Sequence, residues 1–167
     1  MDTLECILTR RSVRSFTEET VSRENIMEVL NAGLWAPSGR NNQPWRFVIV
    51  SSGDSREGLS RLTKYGNIIK SAPVSIAVFI DKDSMYSETK DHQSIGACLQ
   101  NMLLAAHALG LGAVWLGEIL KRAEEARQLL GVDENRELMA VLAMGHPAST
   151  SQTSERKKLD ELLVKEV

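Results

Sequence analysis

Apolar residues recur along this chain with two periods, one helical and one strand-like, in alternating blocks. Leu4, Ile7 and Leu8 form a stripe at helical spacing, behind Asp2 as a candidate N-cap with Glu5 three residues on. Ser22 is positioned to cap a second helix whose inner face would carry Ile26, Val29, Leu30 and Leu34. That helix is expected to stop at Ala36-Pro37, because the proline ring disfavours helical backbone in the residue before it. Arg46 to Val50 reads as a strand, closed by the turn residues Ser51-Ser52-Gly53. A short helix follows near Arg56 to Leu62. Beyond Pro73, the β-branched run Val74 to Ile80 reads as a buried strand.

The longest element is expected from about Asp91 to Leu109, lined by Ile95, Leu99, Met102, Leu103, Ala106 and Leu109. Gly96, Ala97 and Ala105 permit close packing on it. Gly110 and Gly112 are read as its end, since glycine accepts the left-handed backbone that closes helices. Ala113 to Leu116 is a short strand, and Ala123 to Leu130 a helix ending at Gly131. Leu138 to Met144 is another apolar strand, stopped by Gly145-His146-Pro147. Ala148 to Ser154 is small and polar, either a loop or an arm leaving the body. A basic triplet, Arg156-Lys157-Lys158, precedes a last apolar segment, Leu159 to Val164. The blocks lack regular β-α-β spacing, so the expected architecture is two layers, a sheet with helices packed on it.

Composition narrows the class. A length of 167 residues fits one domain, residues 1–167, around one core. A chain this long buries roughly 70% of its unfolded surface and folds without staples. With 43% hydrophobic and 25% charged residues, it has the make-up of a globular protein. The 20 Lys+Arg and 22 Asp+Glu leave a net charge of −2, which argues against nucleic-acid binding through bulk charge. No apolar run approaches the roughly 20 residues of a membrane span. The acidic start Met1-Asp2-Thr3-Leu4-Glu5 does not read as a signal peptide. Cys6 and Cys98 fall inside apolar helical patterns and are expected as buried thiols in a reducing cytoplasm. His92, His107 and His146 are not spaced as metal ligands.

Three segments break the pattern of an ordinary core. Arg10-Arg11-Ser12-Val13-Arg14 gathers three guanidiniums and a hydroxyl. Guanidinium forks suit phosphate oxygens, but cations at a helix C-terminus also simply answer its dipole. Ala36 to Trp45 carries serine, glycine, asparagines and a glutamine between two prolines. Amides that both donate and accept suit the edge of a heteroaromatic ring, and glycine lets backbone approach it. The plainer reading is a stiffened solvent-facing connection. Val114-Trp115-Leu116-Gly117 ends a strand on glycine, which by itself marks only a turn. No glycine-rich dinucleotide or P-loop motif is present, and no Ser/His/Asp set. His107 and His146 read as structural. An enzyme built this way would leave its chemistry to a bound cofactor.

Arg10-Arg11-Ser12-Val13-Arg14-Ser15-Phe16 resembles the opening motif of the FMN-dependent nitroreductase family. Ala36-Pro37-Ser38-Gly39-Arg40-Asn41-Asn42-Gln43-Pro44-Trp45 is similar to that family's most specific signature. Gly110-Leu111-Gly112, Trp115-Leu116-Gly117, Met144-Gly145-His146-Pro147 and Arg156-Lys157 follow in the family's order. The resemblance implies an α+β fold, a mixed and mostly antiparallel sheet flanked by helices. It implies a homodimer with FMN at the interface and an extended C-terminal arm embracing the partner.

By the same resemblance, Arg10, Arg11 and Ser12 would hold the FMN phosphate, joined by Arg156. Arg14 would lie near the flavin pyrimidine edge, where a cation stabilises negative charge on the reduced ring. Pro37, Ser38 and Gly39 would come from the other subunit to cover the ring. Asn41 and Gln43 would be ring-edge or loop-fixing groups. Leu116 and Gly117 would put a backbone N–H near flavin N5. No side chain is implied as a catalytic group. The implied activity is ping-pong hydride transfer from NAD(P)H through flavin N5 to nitroaromatic, quinone or similar acceptors. The alternative is a non-catalytic FMN carrier or sensor of the same fold. A specialised flavin enzyme of this fold would need an additional substrate-lid segment, which is not expected in this chain. Only the ten residues after Ile80, up to Lys90, separate a strand from the long helix, and Met85 and Tyr86 there read as a small lid or as surface loop. Where some relatives carry a glutamate beside the glycine, this chain has Leu116.

Overall fold

The computed structural model describes residues 1–167. Its centre is β2 (Val74–Asp81), buried at every residue. β2 pairs with β1 (Trp45–Val50) on one side and β4 (Arg136–Gly145) on the other, and β3 (Gly112–Leu116) completes the order β1-β2-β4-β3. Every strand pairing is antiparallel. The expectation of a mixed sheet is corrected on this point, since parallel pairing is confined to one isolated bridge, Ser12 to Ala113.

Helices cover both faces of this sheet, so the layers are three rather than the two expected. The reason is legible in β2, a continuous apolar run with no polar face to leave in water. Val74, Ile76, Val78 and Ile80 point into one core with Ala140, Leu142 and Met144 of β4. Ala77 and Phe79 point into the other with Leu138, Val141 and Ala143. Leu138 and Val141 share a face despite odd spacing because the register shifts between Val78 and Phe79. Such an irregularity absorbs one extra residue of β4.

The first core is closed by α2 (Arg23–Leu34) and α5 (Glu88–Ala108). Ile95, Cys98, Leu99, Met102, Leu103 and Ala106 make the inner stripe of α5. A Cβ on Gly33 would sit 2.9 Å from Met102 Cγ, so glycine sets how closely α2 approaches. The second core is closed by α3 (Gly53–Ser60), α4 (Gly66–Ser71) and α6 (Ala123–Leu129). α4 is only six residues long and shows no readable period, so the sequence reading misses it. α3 starts three residues before the expected Arg56, and α5 one turn before Asp91.

Other expectations are corrected as well. In α1 (Thr3–Thr9) only Cys6 is buried, while Leu4 and Leu8 are 71% exposed and Ile7 47%. Leu34, expected on the inner face of α2, is 45% exposed. Gly112 does not cap α5 but opens β3, where Val13 leaves no room for a Cβ. Gly110, at φ 76°, is the residue that takes the left-handed turn. Beyond β4, Ala148 donates its N–H to Ser15 O. From there to Val167 the chain is almost wholly exposed, with one helical turn at Leu159–Glu161. No helix is long and apolar enough to cross a membrane.

Candidate functional site

The basic segment is held beside β3 by its own backbone. Val13 N–H donates to Ala113 O at 3.0 Å, and Val13 is buried against Gly112. This pins Arg10, Arg11, Ser12 and Arg14 along the strand. Arg10 and Arg11 line a cavity of about 240 Å³ with His107, Gly110, Thr150 and Gln152. The Arg10 guanidinium is held below its ordinary pKa, first by burial, then by the like charges of Arg156 and Arg11. Arg156, 146 residues further along the chain, lies within electrostatic reach of Arg10 without lining that cavity.

No carboxylate neutralises this cluster. Arg10, Arg11, Arg14 and Arg156 form no ion pair. Arg11 Nη1 donates to Leu8 O at 2.8 Å and Arg10 O at 2.9 Å, but its buried Nε has no partner. Arg14 and Arg156 donate only to backbone oxygens, of Ser12 and Glu155. Like charges gathered with a donor unspent are unfavourable unless an anion completes them. His107, read as a structural histidine, lines the same cavity and bonds Thr9 Oγ1 through Nε2 at 2.9 Å.

The loop from Ala36 to Trp45 is strained. Arg40, Asn41 and Gln43 all take left-handed backbone, at φ 55°, 55° and 47°. Each such residue costs on the order of 1–3 kcal/mol and persists only where its surroundings enforce it. Ser38 Oγ accepts from Gln43 N–H at 3.1 Å, and Gln43 Nε2 donates to Asn41 O at 3.3 Å. The side chains of Asn41 and Gln43 are exposed, so neither anchors the loop to the body.

That anchor is Asn42, which the sequence reading does not single out. Its amide donates to Asp91 Oδ1 at 2.7 Å and to Ser84 O at 2.9 Å. Asp91 is fully buried and also accepts from the N–H groups of Tyr86 and Ser87, at 2.9 and 2.8 Å. Burial would raise its pKa, yet the Ser87 N–H, the Asn42 amide, the Tyr86 N–H and nearby His92 together hold it below the ordinary value. A sequence signal exists: Asp91 extends the inward stripe of Ile95, Cys98 and Met102 by one turn, a carboxylate on an apolar face. Pro37, Ser38 and Gly39 line a second cavity of about 290 Å³ with Tyr86 and Lys90.

Leu116 is buried and paired with Val141, and Gly117 is exposed where β3 gives way to the turn Glu118–Arg122. Glu118, also unforeseen, accepts from Thr63 Oγ1 at 2.8 Å and Lys64 N–H at 3.2 Å. The Thr63 hydroxyl leads in holding its carboxyl below the ordinary range. It fastens the end of β3 to the turn that enters α4. Within one chain, then, Arg10 to Arg14, Leu116, Gly117 and Arg156 flank β3, while the 37–43 loop belongs to a separate cavity at the start of α5.

The fold is a three-layer α+β body that carries an unpaired cationic cluster beside β3 and a strained polar loop before β1. More particularly, the sequence pattern of the nitroreductase family matches residues 7–70 and 60–146, and the chain belongs to that family. A Methanothermobacter thermautotrophicus protein that bears the name NADH dehydrogenase/NAD(P)H nitroreductase is 37% identical over 155 residues, 92% of this chain and 81% of that one. A Desulfovibrio desulfuricans protein named as a nitroreductase, solved in complex with FMN, superposes with a TM-score of 0.95 at 48% identity, covering 100% of this chain and 98% of that one. The NADPH:FMN oxidoreductase of Vibrio harveyi, solved with NAD+, gives a TM-score of 0.88 at 27% identity, over 98% of this chain and 76% of that one.

Proposed function

We propose that this chain is an FMN-dependent oxidoreductase that uses NAD(P)H to reduce nitroaromatics, quinones or similar electron-poor acceptors, and that it works as a homodimer. The observation that carries the reading is the uncompensated cluster of Arg10, Arg11 and Arg156 around an unpartnered Arg11 Nε–H. A phosphate monoester dianion answers both the charge and the free donor. Membership of the nitroreductase family and the FMN complex of a 48%-identical relative support FMN as the molecule that brings it.

In this reading Arg10, Arg11, Ser12 and Arg156 hold the phosphate. Arg14, exposed and free of any carboxylate, sets a positive potential at the pyrimidine edge of the ring. Leu116 and Gly117 offer backbone at the end of β3, where no Cβ narrows the approach. Pro37, Ser38 and Gly39 cover the ring from the partner subunit, with Asn41 and Gln43 shaping the loop edge. FMN, when bound, supplies two-electron transfer between nicotinamide donor and acceptor. The protein contributes orientation, exclusion of water and fixed charge, and donor and acceptor use one place in turn.

Exposed apolar residues support the dimer. Leu4, Ile7 and Leu8 on α1, with Leu34 and Trp35 at the end of α2, leave exposed apolar side chains that a second copy would cover. Leu159, Leu162, Leu163 and Val164 are exposed at the C-terminus, as an arm reaching a partner would be. The free, buried thiols of Cys6 and Cys98 fit a cytoplasmic protein.

The test is the absorbance spectrum of the purified protein, followed by anaerobic titration with NADH and with NADPH. A stoichiometric flavin spectrum that bleaches within seconds supports the enzyme. A bound flavin that neither nicotinamide bleaches establishes a carrier or sensor instead.

A further inference from the structure

We propose that the cavity between the Pro37–Gly39 loop and the first turns of α5 is the acceptor pocket, and that it selects flat aromatic compounds bearing a negative charge. Tyr86 forms its wall, and Arg40 and Lys90 select the charge. Its part in turnover rests on the flavin reading above; its binding preference does not.

The cavity holds about 290 Å³, near the lower end of small-molecule sites and enough for one or two fused rings. Pro37, Ser38, Gly39, Tyr86, Lys90 and Gln93 line it, with no carboxylate among them. Tyr86 is fixed at its base, because its backbone N–H is held by Asp91 at 2.9 Å. It is also fixed at its tip: a Cβ on Gly39 would stand 1.8 Å from the Tyr86 hydroxyl, so glycine is what lets the ring lie against the loop. The preceding residue, Met85, packs against the first core, which leaves Tyr86 as the outward member of the pair. The pair lies in the connection before α5, as the surface-loop reading has it, with Tyr86 held there as a wall.

Two cations stand over the tyrosine ring. Arg40 Cζ lies 4.9 Å from the ring centroid and Lys90 Nζ 5.5 Å. Neither makes an ion pair with any carboxylate, nor does Glu88 in the same helical turn as Lys90. The neighbouring Asp91 carboxylate is buried and engaged by three N–H donors. Arg40 reaches this place from a left-handed backbone, a conformation that arginine adopts at a cost. A neutral aromatic would gain only contact with the Tyr86 wall. An anionic one would gain Lys90, which lines the cavity, and the longer-range field of Arg40 over the Tyr86 ring.

The test compares 2-naphthalenesulfonate with neutral 2-naphthol, titrated into the protein as purified and followed calorimetrically. Flavin content is read separately from the absorbance spectrum. The sulfonate should bind about tenfold tighter at low salt, and the preference should shrink as salt screens it. Arg40→Gln and Lys90→Gln should each reduce the preference about threefold, and the double variant should remove it. In the flavin-loaded enzyme, kcat/KM for 1,4-naphthoquinone-2-sulfonate relative to 1,4-naphthoquinone should fall in the same order across the variants. Equal binding of the two probes, or a preference that survives in the double variant, overturns the proposal. A sulfonate preference in protein whose flavin neither nicotinamide bleaches would uphold the pocket and overturn its part in turnover alone.

Discussion

Replacing Asp91 with asparagine tests how the signature loop is held. The substitution keeps shape and volume but removes the charge, and it turns an NH2 toward groups that already donate. Asp91 accepts three hydrogen bonds, from Asn42 Nδ2, Tyr86 N–H and Ser87 N–H, at 2.7, 2.9 and 2.8 Å. Bonds to a charged acceptor contribute about 1.5–3 kcal/mol each; an asparagine oxygen in the Oδ2 place keeps the Tyr86 and Ser87 bonds as weaker neutral ones, each about 1 kcal/mol less, and the Asn42 bond is lost. The expected net loss is about 3–4 kcal/mol, a large part of the roughly 5–15 kcal/mol that holds a domain folded. For a chain of this length that lowers Tm by roughly 6–16 °C, measured by circular dichroism at fixed protein concentration. The acid limb should change too. The Asp91 carboxyl lies below its ordinary value in the fold, so its stabilisation is present above about pH 3.9 and is lost as pH falls through the lower folded value. Asp91→Asn should flatten that limb. A double-mutant cycle with Asn42→Ala should return a coupling of about 1–3 kcal/mol. A loss below about 1 kcal/mol, or additivity in the cycle, would refute the anchor.

The arginine cluster yields a prediction of opposite signs. Arg10→Ala combined with Arg156→Ala should release FMN on gel filtration, since about 2–3 kcal/mol is lost with each charged contact, while the flavin-free variant should melt no lower than the flavin-free parent because repulsion is relieved. Stoichiometric flavin in the double variant would sink the phosphate assignment. His107 should titrate below 6.5 in the flavin-free protein, because burial first, then Arg10 and Arg11, oppose its charge, with Glu5 acting the other way. Its unfolded form then binds the proton more readily, so stability falls as pH drops through about 6.5 toward the folded value. Added phosphate should raise the His107 value in an NMR titration, and an unmoved value would place the anion elsewhere.

The parts of this protein read well from sequence were those with a local cause. Val74 to Ile80 and the α5 stripe are dictated by runs of apolar residues, and the caps at Asp2 and Ser22 bond Glu5 and Asn25 as their spacing requires. The motif segments were legible because arginine, glycine and amide residues stand where a core would not place them. What failed had a distant cause. The stripe of α1 is apolar, yet no part of the chain covers it; periodicity shows that a face is apolar, not what packs on it. Asn42 was passed over beside Asn41 and Gln43 because adjacent amides differ only in the direction the left-handed backbone gives them.

By itself, the sequence determined a chain of alternating helices and strands with basic residues near both ends, which follows from residue identity and spacing. The α+β sheet architecture and the nitroreductase family came from the resemblance of its motifs. Only the tertiary structure decided the order and register of the four strands, because register depends on which runs meet. It also decided that Asp91 holds Asn42. Tyr86 lies on Gly39 for the same reason: each pair is far apart in sequence, and only packing of the intervening elements brings it within reach.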